Sequence, residues 1–196
     1  KIAVTWDADG SHYRRGAGLF VEVDGKKVAA RATLGRLTVP ITRRANPPIA
    51  REIDRAVQPV RGQFPKASAS SNGDPENLHD AIDGRVWFYP ELPNGWNSAP
   101  SSSWQWYEVD FGRAMDVSAA ELAFFEDGKQ YSAPDAVIVE YWHSGRWQAL
   151  ARAAPVANGI TRLNWPKRAV TRLRVQMKSV RKDAIRLIEF KALTAN

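Results

Sequence analysis

The most regular alternation of apolar and polar positions falls at residues 104 to 112, Trp104-Gln-Trp106-Tyr-Glu-Val-Asp-Phe111-Gly112. With a side-chain period of two, Tyr107, Val109 and Phe111 face one side, and Glu108 and Asp110 the other. That is the pattern of a half-buried strand, with Gly112 offering the turn that ends it. Similar patterns mark strands at 119–125, 136–142, 146–151, 160–164, 170–177 and 186–193, joined by short turns bearing Gly or Pro. Upstream, residues 2–6, 19–24 and 27–32 are predicted strands, with Asp24-Gly25 as the hairpin turn, and Leu37-Thr-Val39 makes a fourth. Helix is expected only as one turn between Ile49 and Val57 and a short stretch from Glu76 to Ile82. This spacing predicts an all-β protein, an antiparallel β-sandwich with an N-terminal β-strand extension.

Residues 43–63 change character. Asn46-Pro-Pro48, Pro59 and Arg61-Gly62 punctuate a polar stretch, the best boundary in the chain. The expected organisation is therefore a β-rich extension, or the tail of a preceding domain, at 1–42, a linker at 43–63, and a sandwich at 64–196. Lys1 is not an initiator methionine and no signal-peptide pattern follows it, so the chain is expected to be a piece of a longer protein.

Composition narrows the class. The chain has 196 residues, 44% hydrophobic and 25% charged, as an ordinary globular protein does. No apolar run approaches the ~20 residues of a membrane-spanning helix. The absence of cysteine removes disulfides and cysteine metal sites. A net charge of +7 invites a nucleic-acid reading, but the basic residues are scattered. Arg172, Arg174 and Lys178 alternate with Leu173, Val175 and Met177, as on a solvated strand face, and no recognition helix is present. What the charge leaves open is a mild attraction to acidic polysaccharide or anionic surfaces. Catalysis finds little support. His12, His79 and His143 are far apart, and no Gly-x-Ser-x-Gly or His-Glu-x-x-His occurs. Glu126 and Asp127 are adjacent on a loop, where the paired carboxylates of a glycosidase would have to face each other.

Taken with Asp80-Ala-Ile-Asp83-Gly84 upstream and Tyr141-Trp-His-Ser-Gly145-Arg-Trp147 downstream, the 104–112 strand resembles the discoidin family, also called coagulation factor V/VIII type C or galactose-binding-like domains. The resemblance spans roughly residues 64 to 193 and rests on the order of a "DG" loop, a "W-aliphatic-x-V-D-aliphatic-G" strand and a short hairpin. It implies a discoidin-like jelly roll and a noncatalytic binding module, most often for sugars. More loosely, Trp6 to Tyr13 followed by Gly18 to Gly25 looks like the β-rich tail of a large bacterial glycoside hydrolase, in which such a module can follow.

The resemblance also places sites. Family ligands bind on loops at one end of the sandwich, here Trp87–Asn94, Glu126–Tyr131 and Val180–Asp183. Those loops offer Trp87, Phe88 or Tyr89 as a ring on which a pyranose could stack, with Asn94, Glu126, Asp127, Lys129, Tyr131 and Arg181 for hydroxyls. Three consecutive aromatics beside Pro90 and Pro93 cannot all point inward, so at least one is expected to be exposed; the other reading is a loop folded down on its own side chains. The Arg and Asn pair typical of galactose-binding relatives is not visible. A structural Ca²⁺ in the family implies Asp83 and Glu189 as side-chain ligands here, with backbone oxygens of Asp80 and Arg85. The sequence departs from the family in carrying Val86-Trp-Phe-Tyr89 where a Thr or Ser usually follows "DG". The competing reading is that Asp83 caps a turn and Glu189 pairs with an arginine. Trp106 and Trp147 fall where the family buries rings, and Trp96 is expected under the long loop.

Two functions follow. One is a carbohydrate-binding module that targets a linked glycoside hydrolase to a mono-, oligo- or polysaccharide. The other is a structural module that buttresses a neighbouring catalytic domain and has no sugar site. Both imply a secreted or cell-surface, bacterial, monomeric module that neither binds nucleic acid nor inserts into a membrane.

Overall fold

The structure, a computed structural model, describes residues 2–41, 52–58, 60, 62–73, 77–88, 94–179 and 181–195. Two compact units divide the chain, Lys1–Ile49 and Ala50–Asn196. In the first, β1 (Ile2–Asp7), β2 (Gly18–Val23) and β3 (Lys26–Arg31) form an antiparallel sheet in that order, with Leu19, Phe20 and Val21 buried. The three strands and the Asp24-Gly25 turn follow the predicted pattern. Leu37-Thr-Val39 does not, since those residues adopt no strand.

The second unit contains β4 (Glu52–Asp54), β5 (Lys66–Ala69), β6 (Trp96–Asn97), β7 (Gln105–Phe125), β8 (Ala136–His143), β9 (Arg146–Ala153), β10 (Gly159–Lys178) and β11 (Arg186–Ala195). The expected helical turn near 49–57 is absent from its described part, because Glu52–Asp54 pairs with Leu193–Ala195 of β11. That pairing also draws part of the expected linker into the sheet. The stretch ending at Ile82 is a single 3-10 turn at Asp80–Ile82; Glu76 lies outside the described residues.

Several predicted strands are halves of longer ones. β7 and β10 stay hydrogen-bonded from Gln105–Met177 to Phe124–Gly159, with irregularities at 164–168 of β10 and at 110–115 of β7. Each irregularity leaves extra residues unpaired on one strand, so the ladder bends without breaking. Pro166 sits in the first, where no ladder donor is needed, and Gly112 in the second, with φ +68°. Gly112 is thus a corner within β7 and not a terminating turn.

Beyond the corners the two halves take different neighbours. The first half of β7 lies between β5 and the second half of β10, which continues to β8 and β9. Its second half lies between the first half of β10 and β11, which carries β4 and β6. The result is an antiparallel β-sandwich whose layers share β7 and β10. Tyr107, Val109, Leu173, Val175, Met177, Val137 and Val139 from one layer join Val117, Leu122, Phe124, Leu163, Leu187 and Phe190 from the other in one core.

Trp96 belongs to that core, its ring 5.5 Å from Tyr107 and its Nε1–H donated to Ser71 O at 3.0 Å. Trp106 and Trp147 do not. They lie half-buried on the outer face of the first layer, because parity puts them opposite Tyr107 and Tyr141. There Trp147 meets Trp142 edge-on, with Arg172 and Arg174 stacked against the pair.

The corner has a steric requirement. A Cβ on Gly112 would lie 2.5 Å from the Phe64 ring, and the backbone already occupies the left-handed region. Gly112→Ala is therefore expected to cost about 1–3 kcal/mol, read as a lower thermal midpoint. An unchanged midpoint would show that the corner is not constrained.

Candidate functional site

The outer face of the second layer carries a small apolar cluster of Ala123, Phe125 and Ile188, onto which Val86, Phe88 and Tyr131 pack. Alternation along Val86-Trp87-Phe88 turns two of these side chains down and leaves the Trp87 ring 45% exposed. Of the three aromatics expected to offer a stacking surface, Phe88 is therefore an anchor of its loop and Trp87 an exposed ring; Tyr89 lies outside the described residues.

Asn94 fastens the other end of this loop. Its Nδ2 donates to Trp87 O at 2.6 Å, while its O and Oδ1 accept from Arg186 Nε and Nη2, both at 3.0 Å. Arg186 is 6% exposed, and its guanidinium lies 5.4 and 5.3 Å from the Phe125 and Tyr131 ring centroids. It ties the aromatic loop to the end of β7 and to the 126–131 loop. The sequence reading passed over it, although an arginine opening the apolar run Arg186-Leu-Ile-Glu-Phe was a visible anomaly.

Asp127 builds the second loop. Its Oδ1 accepts the backbone N–H groups of Lys129, Gln130 and Tyr131 at 2.9, 2.9 and 3.0 Å. Hydrogen bonds from Tyr131 and then Lys129 hold its carboxyl below the usual value. Asn158 braces Glu126 through both backbone groups. The Glu126 carboxylate accepts Ala133 N–H at 3.1 Å and lies 3.8 Å from Arg181 Nη1, joining the second loop to the third. Ser132 donates to Asp183 and reinforces that junction. Lys129 is exposed and has no side-chain partner among the described residues. The predicted ligand residues thus fall on loops linked by these contacts. Asn94, Asp127 and Tyr131 shape the surface, while Trp87, Lys129, Glu126 and Arg181 present groups on it.

A second constellation surrounds the "DG" turn. Asp83 caps that turn by accepting Arg85 N–H at 2.8 Å, and Gly84 N–H donates to Glu189 Oε1 at 3.0 Å. Among the described residues no arginine pairs with Glu189. Glu189 is 1% exposed, and its Oε2 is buried without a hydrogen-bond partner. Burial, then the neighbouring Asp54 and Asp83, push its pKa up to about 9. Burial raises Asp54 and Asp83 as well. Asp54 comes from β4, inside the stretch read as linker, and its Oδ2 is likewise orphaned. Among the described residues no three acidic, histidine or cysteine side chains converge as a metal-binding group. The unsatisfied Glu189 oxygen beside a turn backbone fits a hard cation that takes most of its ligands from main-chain oxygens, such as those of Asp80 and Arg85.

With this geometry established, comparison with known proteins identifies the sandwich. The F5/8 type C domain family matches residues 66–190. The chain belongs to that family. Units of this family are typically noncatalytic, so the matched residues form a binding module rather than an enzyme domain. No curated protein sequence matches the chain. Among solved structures, one from the Streptococcus pneumoniae beta-galactosidase BgaA is 18% identical, with a TM-score of 0.63 over 74% of this chain and 99% of that one. Chitosan-binding module 2 from the chitosanase/glucanase of Paenibacillus sp. IK-5, solved with chitotriose, is 18% identical, with a TM-score of 0.56 over 72% and 100%. The family 32 carbohydrate-binding module of Clostridium perfringens NanJ, solved with galactose, is 14% identical, with a TM-score of 0.53 over 66% and 93%. At these identities the likeness is one of fold.

Proposed function

We propose that the F5/8 type C unit binds a mono- or oligosaccharide on its loop end and so holds a linked glycoside hydrolase against a glycan outside the cell. The observation that carries this reading is the exposed Trp87 ring on a loop fixed at both sides, by Phe88 in the apolar cluster and by Asn94 on Arg186. A ring held in place loses little entropy when a pyranose stacks on it. Glu126, Lys129 and Arg181 supply charged hydrogen-bonding groups nearby along the linked loops. Structurally similar modules solved with chitotriose or galactose support the same ligand class. The tethering mechanism is a raised local concentration of substrate at the attached enzyme. Phe88, turned into the cluster, favours the second reading, a buttressing module whose aromatic loop is structural.

One pair of substitutions separates the two. A shallow site of this kind is expected to bind at ~0.1–1 mM, equivalent to ~4–5.5 kcal/mol. Trp87→Ala should abolish binding of an oligosaccharide ligand in calorimetric titration with the melting temperature unchanged, whereas Phe88→Ala should cost about 1–3 kcal/mol of stability. If Trp87→Ala lowers stability as much as Phe88→Ala, the ring is structural and the buttressing reading replaces this one.

We further propose that Asp83 and Glu189, with main-chain oxygens of the "DG" turn, hold a structural Ca²⁺. The cation would neutralise charge that burial otherwise disfavours. In chelator, Glu189 binds its proton more tightly folded, with a pKa of about 9 against an ordinary 4.5. The contribution is fully present below about pH 4.5 and is lost as pH rises toward 9. Melting temperature in chelator should therefore fall between pH 5 and pH 9 by an amount that Glu189→Gln removes. Calcium at 100 times its Kd should restore ~2.7 kcal/mol in the wild type and little in Glu189→Gln. Superimposable melts with calcium and with chelator would end the proposal.

A further inference from the structure

A strand's length from the loop end, the β7 corner opens onto a cavity of about 260 Å³ whose lining includes Arg55, Phe64, Gly112, Arg113 and Met115. Its construction follows from the bulge. Because position 112 has no side chain, the Phe64 ring lies directly on the backbone there, yet stays 49% exposed on its other side. Lys66 Nζ sits 4.9 Å from that ring's centroid. Asp110, in the same strand, accepts the bulge N–H of Gly112 at 2.8 Å.

Several arginines of the unit are neutralised in place. Arg162, Arg172 and Arg174 each reach a glutamate. Arg55 Nε is sealed from solvent with no acceptor, and Arg113 is exposed with no hydrogen bond or ion pair among the described residues. Two guanidinium groups on one cavity repel, and an anion bound there would relieve that repulsion. Guanidinium forks match a planar carboxylate, to which each can donate two parallel hydrogen bonds. Phe64 and Met115 provide the apolar wall that a sugar's C–H groups would meet. The volume is below the ~300–1,000 Å³ of pockets for larger ligands, which suits a single ring.

We propose that this corner cavity binds one carboxylate-bearing sugar, a hexuronate unit of an acidic polysaccharide, with Arg55 and Arg113 on the carboxylate. The carboxylate half of the assignment rests on the two arginines; the sugar half rests on the saccharide-binding reading of the module. The site is separate from the loop end and would add charge selectivity to it.

The test is calorimetric titration of the whole chain with galacturonate, with galactose as the neutral counterpart and acetate as the free carboxylate. Galacturonate should bind more tightly than acetate, and its binding should weaken as salt rises. Arg113→Ala, an exposed change that should leave the melting temperature alone, is expected to weaken galacturonate at least about tenfold without affecting galactose. Arg113→Lys, which keeps charge but loses the fork, should recover only part. Trp87→Ala should spare galacturonate and remove galactose. Galacturonate binding that survives both Arg55→Ala and Arg113→Ala, that Trp87→Ala abolishes, or that is undetectable in the wild type overturns the corner site. Acetate binding as tightly as galacturonate overturns the saccharide assignment.

Discussion

β7 and β10 hydrogen-bond to each other along nearly their whole lengths, and keeping that ladder intact obliges both strands to bend together. Each bend carries unpaired residues in one strand, so the pair passes from one layer of the sandwich to the other as a continuous ribbon. The inward faces of both halves then meet across a single core. Strand ends gather the connecting loops at Phe125 and Arg186, while the corner at Gly112 faces away from them. Both candidate ligand sites are consequences of this arrangement: one occupies the loops that the ribbon ends present, the other the gap that its bulge opens.

Support for the loop end comes from charge buried on purpose-built partners. Arg186 packs against two adjoining aromatic rings, and Asn94 accepts two of its N–H hydrogen bonds. A short way along β11, Glu189 has the opposite character, buried with one oxygen unmet. Between them the register shifts from Leu187 to Glu189, which gives Ile188 to the outer cluster and keeps Phe190 in the core. One strand thus holds both the residue that fixes the aromatic loop and the buried carboxylate proposed to hold a cation.

Much of this was legible in the chain. Alternation at 105–111, 136–142 and 170–177 located core faces correctly, since period-two burial is what those sequences encode. The ordered "DG", strand and hairpin phrases indicated the family. What could not be read was continuity: Gly112 and Pro166 are turn residues by type, and only the partner strand makes them bulges. Trp106 was misplaced for a related reason, family position being weighed above its own parity with Tyr107. Arg186 and Asp54 were missed because each acts through long-range contacts, from a strand start and from a stretch with the composition of a linker. Phe88 and Trp87 look equivalent in sequence, and only the apolar cluster beneath them separates anchor from platform.

An exposed ring on an anchored loop is proposed to meet a saccharide. Amide chemical-shift mapping of the whole chain during titration with chitotriose and with galactose tests it most directly. The account predicts that at least one produces saturable shifts concentrated at Trp87, Asn94, Glu126 to Tyr131 and Arg181 to Arg186, with the Trp87 indole among the largest. Shifts centred on the outer face at Trp142 and Trp147, or none at all with either sugar at millimolar concentration, would contradict it.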